Sequence, residues 1–295
     1  MEKIFVGYDC LKCFVSQIDK VLNFLEIEEL KKREFFLKSV KFLSEIENFN
    51  CHPPEIARLL YDYLYRLLGN SDPFREVKGK TNQIAATVLN ELEKKHKNLT
   101  LEDYLKFAVA GNIIDFGVSN SRADYDIVEI LKIIEEFQFE INDFQIFLNN
   151  LKKGKKLLYI LDNSGEAVFD LAFIKKIQQS FPLIKIIVAT RSRNIINDIS
   201  YTDAMSMGFH NFAKVISSGY AGPGICLEKS SDEFIKEFSS ADIIVSKGQG
   251  NFETLWGETE NIFFALKIKC MHVAKKSGFK LYSNLFVNGL KYDKS

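Results

Sequence analysis

The sequence predicts an α/β protein: a helical N-terminal region packed on a Rossmann-like, mostly parallel α/β/α sheet domain. Three observations carry this expectation. Up to about Lys153, apolar residues recur at helical spacing and no convincing strand interrupts them. Beyond Gly154, short and almost wholly apolar runs alternate with helical stretches, the pattern of parallel strands buried on both faces. Polar clusters follow those runs, where open α/β sheets place their ligands. The expected division is 1–153, mainly helical, and 154–295, an α/β domain, together one compact unit.

The helical series runs 14–27, 28–49, 53–68, 73–96, 100–114 and 125–139. Its clearest member is 53–68, where Ile56, Leu59, Leu60, Tyr63, Leu64 and Leu67 form one stripe. Pro53 and Pro54 mark its start, and Gly69-Asn70 its end. The first expected strand is 156–161 (KLLYIL), followed by a helix over 166–180. Further strands are expected at 183–189, 213–216, 243–245 and 262–266.

Composition narrows the classes. With 46% hydrophobic and 26% charged residues, the chain has the make-up of a folded globular protein, which excludes intrinsic disorder. Lys and Arg total 39 and Asp and Glu total 39, and neither half departs far from balance. A nucleic-acid partner is therefore disfavoured. No apolar run has membrane-spanning length, and MEKIFVGYDC lacks a secretory pattern, so no membrane association and a cytoplasmic location are expected. The five cysteines are odd in number and scattered, unlike a disulfide framework.

The strongest chemical signal is Leu161-Asp162-Asn163-Ser164-Gly165-Glu166, a strand end running into a helix. Asp162 and Asn163 offer hard oxygen ligands for an ion such as Mg²⁺ or Mn²⁺, or they simply cap the helix. Asp198 or Asp203 could supply a third oxygen from the next loop, or either is a solvated surface acid. In Ser246-Lys247-Gly248-Gln249-Gly250-Asn251, the glycines allow close backbone approach and Lys247 suits a phosphoryl group. The P-loop pattern is absent, and a plain turn is the alternative. Asn112 and Asp115, one helical turn apart before Gly117, either end a helix or reach the pocket. Cys10-x-x-Cys13 is a redox pair, half of a metal site, or two buried thiols near a helix start. The four histidines are dispersed and no G-x-S-x-G occurs, so serine-hydrolase chemistry lacks support.

Together these segments resemble the metal-dependent damage-control phosphatase family, formerly a domain of unknown function. The matching pieces are Cys10-x-x-Cys13, Ser71-Asp72-Pro73-Phe74-Arg75-Glu76-Val77-Lys78, Gly111-Asn112-Ile113-Ile114-Asp115 and Leu161–Glu166. Asn197-Asp198, Asp203-Ala204 and Ser246–Glu253 complete the series. The CxxC and the short length resemble the compact prokaryotic branch. The resemblance implies a divalent metal (Mn, Mg, Co or Ni) held by Asp162, Asn163 and Asp198 in the 154–295 domain. It implies Lys247 as the phosphate-contacting lysine and Asn112 and Asp115 at the substrate pocket, to which we add Ser164, Gly248 and Gly250. Ser164 stands where the family's first motif carries alanine.

The implied function is metal-dependent hydrolysis of small phosphorylated metabolites, such as sugar phosphates or damaged phosphometabolites. The metal is expected to offset the carboxylates that would otherwise repel a phosphate dianion. Asp162, Lys247 and Glu166 are the expected catalytic groups, Glu166 as a proton-handling residue or a helix cap. A water activated by the ion is the expected nucleophile, and direct attack by an Asp stays open. Two other classes stand beside this one. An S-adenosylmethionine-dependent carboxyl methyltransferase would want a glycine-rich turn after the first strand, where Asp-Asn-Ser-Gly stands instead. A non-catalytic metal- and phosphate-binding protein would bind such ligands without turnover.

Overall fold

A seven-stranded sheet organises the protein, and the alternation of side chains along its strands decides what each face receives. The computed structural model describes residues 2–25, 27–111 and 126–292. Its N-terminal elements are α1 (Tyr8–Phe24), α2 (Glu29–Ser44), α3 (Pro53–Leu68), α4 (Arg75–Lys95), α5 (Leu101–Gly111) and α6 (Ile127–Glu136). They are followed by β1 (Ile141–Asn142), α7 (Phe144–Lys153), β2 (Lys156–Ile160), α8 (Glu166–Ser180), β3 (Lys185–Thr190), α9 (Tyr201–Ser206) and β4 (Lys214–Ser217). The chain continues through α10 (Asp232–Ser239), β5 (Ile243–Lys247), α11 (Gln249–Leu255), β6 (Ile262–Lys267), α12 (Met271–Ser277) and β7 (Asn284–Asn288).

The strand order is β1-β7-β6-β5-β2-β3-β4. All neighbours pair in parallel except β6 and β7. Along β2, Leu157 and Tyr159 enter one core while Leu158 and Ile160 enter the other. The first core holds α4 to α8, with Phe147, Phe169 and Phe173 at its centre. The second holds α10 to α12, with Phe252, Trp256 and Phe264. A third cluster joins α1, α2 and α3 through Phe14, Leu60 and Leu64, and includes Ile195 from the loop after β3. Residues on both sides of Gly154 thus share the first core. No helix among the described residues is long and apolar enough to cross a membrane.

Three local expectations change. β1 lies in the stretch read as purely helical; at two residues it is too short for a periodicity signal, and its pairing with β7 defines it. β7 was not expected, and it runs antiparallel to β6. α1 begins at Tyr8, a turn and a half earlier than the expected 14–27, because the stripe Cys10, Phe14, Ile18, Val21 extends back through Cys10. Cys10 is therefore buried, but Cys13, one turn further along the helix at the edge of the same face, is exposed, which corrects the reading of two buried thiols.

The ring of Phe147 on α7 meets those of Phe263 on β6 and Phe286 on β7, each at 5.4 Å, and that of Phe173 on α8 at 6.1 Å. Phe147→Ala is expected to cost about 3–5 kcal/mol in urea unfolding. A loss below about 1 kcal/mol would show that this ring does not join the helix layer to the sheet.

Candidate active site

From β2 the chain winds through β3 and β4 in one direction, then crosses back to β5 and β6 on the other side. The adjacent ends of β2 and β5 form the switch point, where such sheets open a crevice. Asp162 and Asn163 follow β2, and Gly248 follows β5. The loop after β3 folds onto this point. Ser164 donates to the Asn197 carbonyl at 2.8 Å, and Ile199 to the Asp162 carbonyl at 2.8 Å. Asn163 and Asp198 are consequently paired as in an antiparallel bridge.

The buried guanidinium of Arg191, at the tip of β3, ties the two acids together. Its Nε donates to Asp198 Oδ2 at 2.7 Å and its Nη2 to Asp162 Oδ1 at 3.3 Å. Its Nη1 donates to Asn251 Oδ1 at 2.8 Å, and the Asn251 amide is anchored on the Lys247 carbonyl at 2.8 Å. Helices of the first half hold the surrounding loops. Tyr65 Oη on α3 accepts from the N–H of Ile196, a β-branched residue held at φ 46°, where such residues are rare. Lys78 on α4 donates to Asn194 and Asp203, both at 3.0 Å, and Asn82 accepts from Gly165 at 2.7 Å. The Ser71–Lys78 and Asp203-Ala204 segments thus converge as a brace for the loop that carries Asp198. Asp203 also caps α9 through Ser200, which separates it from the role of third oxygen ligand.

Four buried carboxylates, those of Asp162, Glu166, Asp170 and Asp198, face two buried cations, Arg191 and Lys247. If all six ionise, two negative charges remain uncompensated. Burial, then Asp198 and Glu166, push the Asp162 carboxyl well above the usual range despite Arg191 and Lys247. Burial raises Asp198 too, against the pull of Arg191. Asp170 is pushed up to about 6, chiefly by burial. A divalent cation fits this donor set in charge and in chemistry: two carboxylates and an amide are hard oxygen ligands. Arg191 takes one oxygen of each acid, and the Asn163 amide donates to Asp162 Oδ2 at 2.9 Å while its own oxygen stays available. Among the described residues no three His, Cys, Asp or Glu side chains are grouped so as to hold an ion.

Lys247 is placed differently from the expected phosphoryl contact. It follows Ile243 and Val245 on the face of β5 that packs against α5 and α8, and it is fully buried there. Its ammonium donates to Ala108 O at 2.7 Å, Asp170 Oδ1 at 2.7 Å and Glu166 Oε2 at 3.0 Å, using its three hydrogens. Burial alone would lower its pKa, but Asp170 and Glu166 outweigh that, and the net shift is upward. Glu166 also accepts from the Asn163 N–H at 3.2 Å, so it ties Lys247 to the Asp162–Asn163 turn. No side-chain oxygen of Asp162 or Asn163 caps α8, whose N-cap is Gly165.

Gly248 serves close approach and not an open anion loop. A Cβ there would lie 1.8 Å from Asp162 Oδ2, and its N–H is already bonded to the Ala265 carbonyl. Gly250 lines the cavity beside the acids, and a Cβ on it would lie 1.8 Å from the Pro223 carbonyl. Ser164 is buried, and its hydroxyl has no hydrogen-bond partner among the described residues. Asn112 and Asp115 lie outside the described residues.

The acids open into a cavity of about 350 Å³, also lined by Tyr61, Asn197 and Glu253. Cys10, Cys13 and Cys270 lie on its wall. Burial pushes the Cys10 thiol up to about 11 and raises Cys13 as well, so both stand as protonated thiols. Sequence reasoning gave no role to Asn197 and Glu253, which line the cavity, or to Arg191, buried behind the acids. Arg191 had left one signal, a long cation ending a strand beside two candidate acids.

A parallel sheet with an acidic crevice at its switch point defines a ligand-binding α/β protein of the Rossmann-like class. The Damage-control phosphatase ARMT1-like domain matches residues 6–285. A damage-control phosphatase of Pyrococcus horikoshii is 35% identical over 272 residues, covering 92% of this chain and 93% of that protein. A damage-control phosphatase of Archaeoglobus fulgidus is 30% identical, covering 91% and 94%. The crystal structure of a DUF89 family protein from P. horikoshii superposes with a TM-score of 0.89 at 32% identity, over 97% of this chain and 99% of that one. The chain belongs to the damage-control phosphatase family.

Gly248 and Gly278 both have φ near 80°, at 79° and 78°, but a Cβ at Gly278 would meet nothing within 4 Å. Gly278→Ala is expected to cost about 1 kcal/mol in thermal unfolding. Gly248→Ala is expected to cost a further ~1–3 kcal/mol through the displaced Asp162. Equal losses would show that Asp162 yields freely.

Proposed function

We propose that this protein is a metal-dependent phosphatase acting on small phosphorylated metabolites, sugar phosphates or damaged forms of them, with Mn²⁺, Mg²⁺, Co²⁺ or Ni²⁺ as cofactor. The observation that carries this reading is the convergence of Asp162, Asn163 and Asp198 on one cavity with a surplus of buried negative charge. The names borne by its relatives support the reaction class.

Asp162, Asn163 and Asp198 are the residues that would hold the ion. A divalent ion bound there supplies positive charge to a phosphoryl oxygen and acidifies water. Arg191 keeps the two carboxylates at a fixed separation, so little reorganisation accompanies binding. Lys247 positions Asn163 through Glu166 instead of touching the phosphoryl group. Asn197, on the cavity wall, would border the ester. Phosphoryl transfer depends mostly on such placement and charge, which this framework supplies.

Hydrolysis of p-nitrophenyl phosphate is expected with at least one of the four cations and should vanish with chelator. Asp162→Ala should lower kcat by roughly a hundredfold or more. Activity that survives chelator or this substitution would refute the mechanism.

The raised carboxyls also set a pH dependence. Each favours the folded state below the usual carboxylate value near 4, a contribution lost as pH climbs through its folded value, about 6 for Asp170. Asp162 and Asp198 shift in the same direction, so protons compete with the ion. The rise in Tm on adding Mn²⁺ is therefore expected to be larger at about pH 7.5 than at about pH 5.5. An equal rise at both would place ion binding elsewhere.

A further inference from the structure

The cavity continues past the acids along a wall of different character, built from α1, α11 and the connection between β6 and α12. Lys20 and Lys269 stand on this wall, both exposed, and neither makes an ion pair among the described residues. Lys269 is tied to the catalytic end: its N–H donates to Gln249 Oε1 at 2.7 Å, and Gln249 adjoins the Gly248 that presses on Asp162. One turn before Lys20, Gln17 donates its amide to Cys13 Sγ, while its Oε1 is buried without a partner.

We infer that this wall selects phosphate esters carrying a second anionic group, such as phosphorylated sugar acids. The inference rests on the phosphatase reading of the same cavity. With the phosphoryl end at Asp162 and Asp198, the rest of a short ligand shares the cavity with two lysines that make no ion pair among the described residues, which favours a carboxylate over a neutral terminus. Glu253, whose Oε1 accepts from Gln249 at 2.7 Å, is pushed up to about 7 by burial, so repulsion of a carboxylate is softened near neutral pH. At about 350 Å³ the cavity lies at the small end of the ~300–1,000 Å³ typical of small-molecule sites, which suits a phosphorylated sugar acid.

The test compares 6-phosphogluconate with glucose 6-phosphate, two six-carbon esters that differ at the end remote from the phosphate. Both are assayed with whichever cation best supports aryl phosphate hydrolysis, in the wild type and in a Lys20→Ala/Lys269→Ala double variant. The wild type is expected to favour the acid in kcat/KM by at least about tenfold, and the variant to lose most of that ratio. Equal kcat/KM values in the wild type, or a ratio unchanged in the variant, overturn the inference and leave the phosphatase reading standing. If neither compound nor p-nitrophenyl phosphate is hydrolysed with any cation, the phosphatase reading fails and this inference fails with it. Both lysines are exposed, so loss of folding does not confound the variant.

Discussion

A single guanidinium, that of Arg191, sits between two acids that repel one another, and the architecture around the crevice converges on keeping it there. It links the ends of β2 and β3 to α11, since Asp162, Asp198 and Asn251 each give it one oxygen. Removing one partner of such a buried set leaves an uncompensated charge, a far larger penalty than the worth of any exposed pair. The Lys78–Asp203 brace, the Tyr65 contact to Ile196 and the close approach of Gly248 all confine the same few ångströms. With its four carboxyls ionised the arrangement carries more negative than positive charge, which makes it receptive to a cation and inhospitable to a free phosphate.

Strand parity divides labour around this point. Side chains of β5 at 243, 245 and 247 enter the first core, so Lys247 is carried beneath the sheet to Glu166 and Asp170. Asp162 opens instead toward the cavity bordered by α1 and α11. Two residues that look equivalent in sequence, each polar at the end of an apolar run, therefore act at different depths. One borders the cavity; the other supports the turn that shapes it.

Much of this was legible in the chain itself. The stripe of α3, the apolar runs of β2, β3 and β5 and the polar segments after them carry strong local signals. Asp162, Asn163 and Asp198 were candidates because hard oxygen donors ended those runs. The direction of Lys247 was hidden because a strand tip can be read as exposed when a neighbouring helix in fact covers it. Arg191 was overlooked because its partners lie in three separate segments. Lys20 and Gln17 gave no signal, since only the packing of α1 brings them to the cavity.

The strand order has a consequence for how the molecule is made. β1 comes six strands before β7, yet among the described residues β7 is its one neighbour in the sheet. During synthesis that short edge waits for its partner until roughly 140 further residues have left the ribosome, and β7 must then enter between β1 and β6. At two residues, β1 offers little edge for a foreign strand to capture during the wait. Its brevity is thus a safeguard for a nascent chain that closes its sheet last.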